Sequence, residues 1–137
     1  MIDVTCAIII HEGRVLVTQR SERMSTPLKW EFPGGKVEPE ESPEQCLVRE
    51  LVEELNIRVE PVHKLDPQPY QYPDFSIRLL PFVARLISGQ IVLHEHLDYQ
   101  WLTIEELPHL DWAAADVPVL HCFLEFYTGR EKKAAGL

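Results

Sequence analysis

Glu50, Glu53 and Glu54 stand within five residues of one another, in a segment that otherwise reads as a short amphipathic helix. At about 100° per residue, the three carboxylates fall within an arc of roughly 100° on one face. Leu47, Val48, Leu51, Val52 and Leu55 take most of the opposite face. Like charges at helical spacing disfavour each other. A folded chain keeps such a cluster most easily when a cation neutralises it. Hard divalent ions such as Mg²⁺ want carboxylate oxygens and keep positions open for water and phosphate. Metal-assisted chemistry on a phosphate chain is what this arrangement invites, and a solvated helix face is the plain alternative.

The elements that must hold these side chains are legible nearby. Ser42-Pro43-Glu44-Gln45 reads as a helix start, with Ser42 as cap, Pro43 at the first helical position and Gln45 completing a capping box. The helix should run to about Leu55. Upstream, Trp30-Glu31-Phe32 is a short extended piece stopped by Pro33-Gly34-Gly35. Val4 to Ile10 and Arg14 to Arg20 read as strands joined at His11-Glu12-Gly13, a hairpin signal. Downstream, Val59 to Leu65 should be extended, Tyr70 to Asp74 loop, and Phe75 to Leu86 a long strand with Ser88-Gly89 as a turn. Ile91 to Leu93 and Asp98 to Leu102 read as further extended pieces. Thr103-Ile104-Glu105-Glu106 is a second capping box opening a short helix. Asp116-Val117-Pro118 opens a last helix to about Tyr127, whose apolar positions recur at three and four. Strands mixed with two substantial helices suggest an α/β sheet with helices on both faces.

At 137 residues the chain reads as one domain over 1–129, followed by a polar C-terminal tail over 130–137. The net charge of −9 leaves no basic footprint for a nucleic-acid polymer. Cys6, Cys46 and Cys122 are odd in number and lie far apart, so neither a disulfide framework nor a zinc site is indicated, and each reads as a small buried hydrophobe. The opening apolar run, bracketed by Asp3 and Glu12, looks like a strand rather than a signal peptide. No apolar stretch approaches a membrane span. A cytoplasmic protein, monomer or homodimer, is the expectation.

Written out, the central stretch is Gly35, five residues, Glu41, seven residues, then Arg49-Glu50-Leu51-x-Glu53-Glu54-x-Asn56-Ile57. It resembles the Nudix box, which differs at one specified position: Asn56 stands where that family has glycine. Asn is the next-best residue for the left-handed turn past a helix end. Trp30 to Glu38, with its Pro33-Gly34-Gly35-Lys36 core, and Tyr70-x-Tyr72-Pro73-Asp74 look like segments of MutT-type pyrophosphohydrolases. Ala114 to Leu120 is similar to the ending of the CTP pyrophosphohydrolase branch. The resemblance covers about residues 3 to 125 and implies the Nudix fold, an α/β/α sandwich around a mixed β-sheet.

What the resemblance implies about chemistry is attack of water on a nucleoside diphosphate linked to a further group. It makes Glu50, Glu53 and Glu54 ligands of Mg²⁺ (Mn²⁺ may substitute), with the carbonyl of Gly34 as a partner. Glu53 is favoured as general base, with Glu50 and Glu95 as rivals. Glu95, between His94 and His96, matches a family glutamate that reaches the metal, or is a polar loop residue. The two histidines read as exposed and receive no ligand role. Arg49 should hold Glu50, and Glu41 should support the box loop. Gly34-Gly35 lets backbone approach a ligand closely. Lys36 resembles the family lysine that contacts phosphate, or is a surface lysine. Arg20 could meet the phosphates, or be an ordinary strand-end arginine. Phe32 and Phe75 offer faces for stacking a base, or are core.

Asp116 has two readings. An ionised Asp only accepts, which favours an exocyclic amino group such as N4 of cytosine or N6 of adenine. It also directly precedes a helix and could be its N-cap. The expected activity is a Mg²⁺-dependent nucleoside triphosphate pyrophosphohydrolase acting on CTP, dCTP or oxidised nucleotides. Alternatives are 8-oxo-dGTP sanitation, a substrate such as ADP-ribose or a dinucleoside polyphosphate, and, from another class, a non-catalytic nucleotide sensor.

Overall fold

The structure is a computed structural model that describes the backbone of residues 1–134 and side chains through residue 130. Its centre is a mixed eight-stranded sheet. Strand β1 (Ile2–His11) runs parallel to β7 (Ser76–Gly89) over Ile2 to Ile10. Beyond β7 lie β5 (Ile57–Lys64) and β6 (Gln68–Gln71), both antiparallel to it. On its other edge β1 changes partner. Near the hairpin it pairs with β2 (Arg14–Gln19), and at Val4 to Cys6 it pairs with the short β4 (Gly34–Lys36). β2 carries β3 (Trp30–Glu31) and β8 (Asp98–Thr103).

Side chains alternate across the sheet, as the two-residue period of a strand requires. Cys6 and Ile8 of β1, Val15 and Val17 of β2, and Ile77, Leu79 and Val83 of β7 face one core. Helix α2 (Val117–Ala134) closes that side with Val119, Leu120 and Phe123. Ala7, Ile9, Leu16, Leu80, Phe82 and Ala84 face the other core, closed by Leu47, Leu51 and Leu55 of helix α1 (Pro43–Leu55). This is the α/β/α sandwich that the resemblance implies.

Helix α1 begins and ends where its residues dictate. Ser42 Oγ accepts the Gln45 N–H and the Gln45 side chain accepts the Ser42 N–H, a complete capping box, with Pro43 in the first turn. Asn56 closes the helix with φ 59°, and its N–H reaches the Leu51 and Val52 carbonyls.

Several elements differ from expectation. Gln68 to Gln71 is an edge strand rather than loop, because its backbone completes the ladder of β7. Ser88-Gly89 is not a turn: β7 continues through it opposite Arg58 and Ile57. Ile91 to Leu93 forms no strand and instead leans on the end of α1, with the Val92 N–H donating to the Leu55 carbonyl. The second capping box opens a 3-10 helix, Ile104–His109. Helix α2 continues past Tyr127 to Ala134, and residues 135–137 of the expected tail lie outside the described residues. Cys6 and Cys46 are buried as expected, whereas Cys122 is partly exposed. Among the described residues no helix is long and apolar enough to cross a membrane.

Candidate active site

The glycine loop and α1 meet through backbone contact. β4 lies so close to β1 that a Cβ on Gly34 would strike the Thr5 carbonyl and Cys6 Cα. A Cβ on Gly35 would strike the carboxyl of Glu50. Two glycines are thus required where a strand and a glutamate both press on the loop. Thr5 ties these parts together: its hydroxyl donates to the Gly35 carbonyl at 3.2 Å and lies 3.3 Å from Cys46 Sγ on α1.

Arg49 organises the carboxylates. Its Nη2 and Nε donate to the two Glu41 oxygens at 2.7 and 3.0 Å, and its Nη1 lies 3.1 Å from both Glu50 and Glu53. These hydrogen bonds bring the Glu41 carboxyl down to about 2. Glu41 also accepts the Glu38 N–H, which closes the loop before α1. Glu53 is drawn outward by Arg49, one turn before it, and its side chain is 58% exposed.

Glu54 points inward. Burial first, then the charges of Glu50, Glu31 and Glu95, push its carboxyl up to about 8. Burial likewise raises Glu50, against the opposing effect of Arg49. Glu54 is therefore a half-buried acid among acids, and among the described residues it makes no ion pair to match that of Arg49 with Glu50. Among the described residues no three acidic, histidine or cysteine side chains already converge as a closed metal cage. The donor chemistry nevertheless suits a hard divalent ion: oxygens only, negative, crowded and partly desolvated. Glu50, Glu53, Glu54, Glu95 and the Gly34 carbonyl could hold it, Glu53 being the one paired with Arg49 at its exposed edge.

One cavity of about 240 Å³ has both Glu54 and Asp116 in its walls. Glu54, Gly34, Gly35 and Lys36 line one part; Arg20, Phe32, Phe75 and Asp116 line another. The larger depression of about 550 Å³ on the outer face of α1 is lined by Val48 and Val52 together with Arg49 and Glu53, and neither Glu54 nor Asp116 lines it.

The second part of the cavity is built by a long-range crossing. The stretch 111–113 runs beside β3, with the Trp30 N–H donating to the Asp111 carbonyl and the Ala113 N–H to the Trp30 carbonyl. This carries Asp116 to Phe32, whose N–H donates to Asp116 Oδ2 at 2.9 Å. Phe32 is buried and packs on Trp112 at 4.6 Å between ring centroids. Phe75 is 48% exposed and stacks on Tyr72. Asp116 does not act as an N-cap, since its side chain is committed to Phe32 and a 3-10 turn leads into α2. Nor is it a simple anion: burial, then the charge of Glu31, pushes it up to about 8. A protonated carboxyl both donates and accepts.

Two residues of this region stand otherwise than the sequence suggested, and a third, Arg20, lines the cavity while three of its five N–H donors go to Glu31 and Ser25. His96 is buried rather than exposed, with Nε2 2.8 Å from Glu31 Oε2. Glu31 itself received no role from sequence, yet its charge acts on both Glu54 and Asp116. The one available signal was its type: a glutamate between Trp30 and Phe32, in a segment headed for a glycine loop.

Comparison with known proteins agrees with this architecture. The NUDIX domain model matches residues 1–123. The chain belongs to the Nudix family. It is 36% identical over 130 residues to a CTP pyrophosphohydrolase from Escherichia coli strain K12, covering 95% of this chain and 96% of that protein. It is 31% identical over 120 residues to an 8-oxo-dGTP diphosphatase from the same strain, covering 87% and 93%. The solution structure of the E. coli ORF135 protein superposes with a TM-score of 0.83 at 36% identity, covering 95% of this chain and 93% of that one. A MutT protein from Methanosarcina mazei Go1 superposes at 0.78 with 26% identity, covering 97% and 94%. Members of this hydrolase family generally use a divalent metal.

Proposed function

We propose that this Nudix hydrolase is a Mg²⁺-dependent nucleoside triphosphate pyrophosphohydrolase that converts its substrate to the monophosphate and pyrophosphate. CTP, dCTP and oxidised nucleotides are the preferred substrates. One observation carries the reading: a single cavity is lined by Glu54 and the glycine loop and also by aromatic side chains and one buried polar group, Asp116. The near full-length similarity to a CTP pyrophosphohydrolase supports the same choice.

A bound divalent ion supplies charge screening for the phosphates and a lowered pKa for water. The chain's own residues do the rest. Lys36 meets the phosphates at the mouth of the cavity. Phe75 and Phe32 flank the base, and Asp116 reads its edge. Glu53 takes the proton from the attacking water, with Glu50 and Glu95 as alternatives at the same cluster. The substrate is free nucleotide, with no nucleic-acid polymer and no membrane as partner. The enzyme works in the cytoplasm as a monomer or homodimer.

A panel of normal and oxidised triphosphates, compared by kcat/KM, tests the substrate. Reaction in ¹⁸O water tests the bond broken: label in pyrophosphate means attack at the β-phosphorus, the expected result, and label in the monophosphate means attack at the α-phosphorus. Orthophosphate as first product would contradict the reaction class. Tight nucleotide binding with no pyrophosphate release under Mg²⁺ would mark a sensor instead.

A second reading rests on the protonation of Asp116. A neutral carboxyl can donate to a keto oxygen, which suits 8-oxo-dGTP, the substrate class in the name of the 31% identical relative.

A further inference from the structure

Arg20, Glu31 and His96 form a chain of charge-assisted hydrogen bonds that the proposed hydrolysis does not use. Glu31 Oε1 accepts from Arg20 Nη1 at 2.6 Å, while Oε2 lies 2.8 Å from His96 Nε2. The His96 side chain is 1% exposed. Its Nδ1 is buried and has no hydrogen-bond partner among the described residues. A carboxylate can only accept, so Nε2 donates, and the contact with Glu31 is the one hydrogen bond of the ring among the described residues.

The segment carrying His96 is fastened on both sides. The His94 N–H donates to the Glu54 carbonyl at 3.3 Å, and the Leu97 N–H donates to the Gln19 carbonyl at 2.9 Å. The imidazole is thereby held between the end of α1 and the end of β2.

At the other end of the chain, Arg20 Nε donates to the Ser25 carbonyl at 2.6 Å and Nη2 to Ser25 Oγ at 3.0 Å. Ser25 belongs to the connection between β2 and β3. Thr26 and Leu28 of that connection have φ of 45° and 65°, left-handed values in non-glycine residues. Such backbone persists only where surrounding contacts impose it. Met24 and Ser25 line the same cavity as Phe32 and Asp116.

We propose that His96 is a positioning residue: by holding Glu31 it aims Arg20 at Ser25 and fixes the 21–29 connection as a wall of the base pocket. The part concerning the base rests on the nucleotide reading given above; the hold on the connection does not.

The test has two independent readouts. Arg23, exposed on this connection, is a trypsin site in the nucleotide-free protein. His96→Leu should raise cleavage after Arg23 about ten-fold or more, as loss of a charge-assisted hydrogen bond would shift a local opening equilibrium. His96→Gln, whose amide N–H can reach the same acceptor, should restore most of the protection. Arg20→Lys keeps the charge but loses the fork that spans Glu31 and Ser25, so it should open the connection without disturbing the buried ring. With dCTP, KM should rise in His96→Leu and Arg20→Lys by more than kcat falls. Wild-type cleavage in both variants, or no rescue by His96→Gln, overturns the proposal. If His96→Leu does not fold, Arg20→Lys and His96→Gln decide alone. Altered cleavage in a protein that hydrolyses no nucleotide would support the hold on the connection and overturn the pocket's reading.

Discussion

Asp116 Oδ2 accepts the backbone N–H of Phe32 at 2.9 Å, joining the start of α2 to the segment before the glycine loop. The carboxyl that is proposed to read the base is thus held by the backbone of a residue that is proposed to stack on it. One oxygen is spoken for; the other remains for a ligand.

This predicts a pH-dependent specificity. Below about 8 the carboxyl keeps its proton and can donate; above it, only acceptors remain. The kcat/KM ratio of dCTP to 8-oxo-dGTP should therefore rise in the wild type as pH passes through that value. In Asp116→Asn the ratio should stay flat and lie about ten-fold lower at alkaline pH, given the strength of hydrogen bonds to charged groups. Parallel pH profiles for the two proteins would defeat the base-reading role.

The same residue makes a stability prediction. In the unfolded chain its carboxyl loses its proton near 3.8; in the folded protein it keeps it to about 8. The folded state holds the extra proton between those values, so this contribution is fully present below the lower one and lost as pH rises through the upper. Thermal melts should show the wild type losing ground to Asp116→Asn across that window. A constant difference in Tm would remove the burial argument.

Glu54→Gln and Glu50→Gln should lose most activity, and chelation should abolish it in the wild type. If Glu53 is the general base, Glu53→Gln costs roughly 10²–10⁴ in rate. None of these residues lies in the apolar cores, and Glu54→Gln relieves the crowding from Glu50, Glu31 and Glu95. Circular dichroism and Tm should therefore match or exceed the wild type. Normal turnover by Glu54→Gln at saturating metal would remove Glu54 from the ligand set.

Gly34→Ala and Gly35→Ala should fail differently. The first drives a methyl into backbone at Thr5 and Cys6, which cannot yield, and should cost roughly 1–3 kcal/mol of stability or more. The second meets the movable carboxyl of Glu50, so the fold should hold while activity falls. Denaturant melts beside kcat measurements separate the two, and equal loss of stability would contradict the assignment.

Asn56→Ala should cost about 1–2 kcal/mol, because alanine pays the full penalty of a left-handed φ and loses the amide bond to the Gln90 carbonyl. Asn56→Gly should be close to neutral. Urea midpoints at unchanged slope would check both.

What was legible in the sequence was local. The bounds of α1 follow from Ser42, Pro43, Gln45 and Asn56, residues whose preferences act within a turn of the chain. The hairpin at Glu12-Gly13 is of the same kind. What was not legible depends on contacts between distant segments. Tyr70 lies in an edge strand only because β7 extends far enough to pair with it. Ile91 and Leu93 look like strand residues, yet the segment bonds to the end of α1. His96 sits in a polar-looking stretch, and its burial depends on Glu31, 65 positions earlier. Asp116 had the local signature of a helix cap, and a partner 84 positions away claimed it.

The edge of β1 that changes partner divides the enzyme into two regimes of tolerance. The proposed phosphate end is set by Gly34 and Gly35 against β1 and α1, where an added Cβ collides with backbone or with Glu50. The proposed base end is assembled from the 21–29 connection, the half-exposed Phe75 and the stretch before α2. Exposed positions there, such as Phe75, can change without disturbing the hydrolytic frame. A lineage built on this plan can exchange one nucleobase for another by drift at the periphery, while the hydrolytic centre stays the same across its descendants.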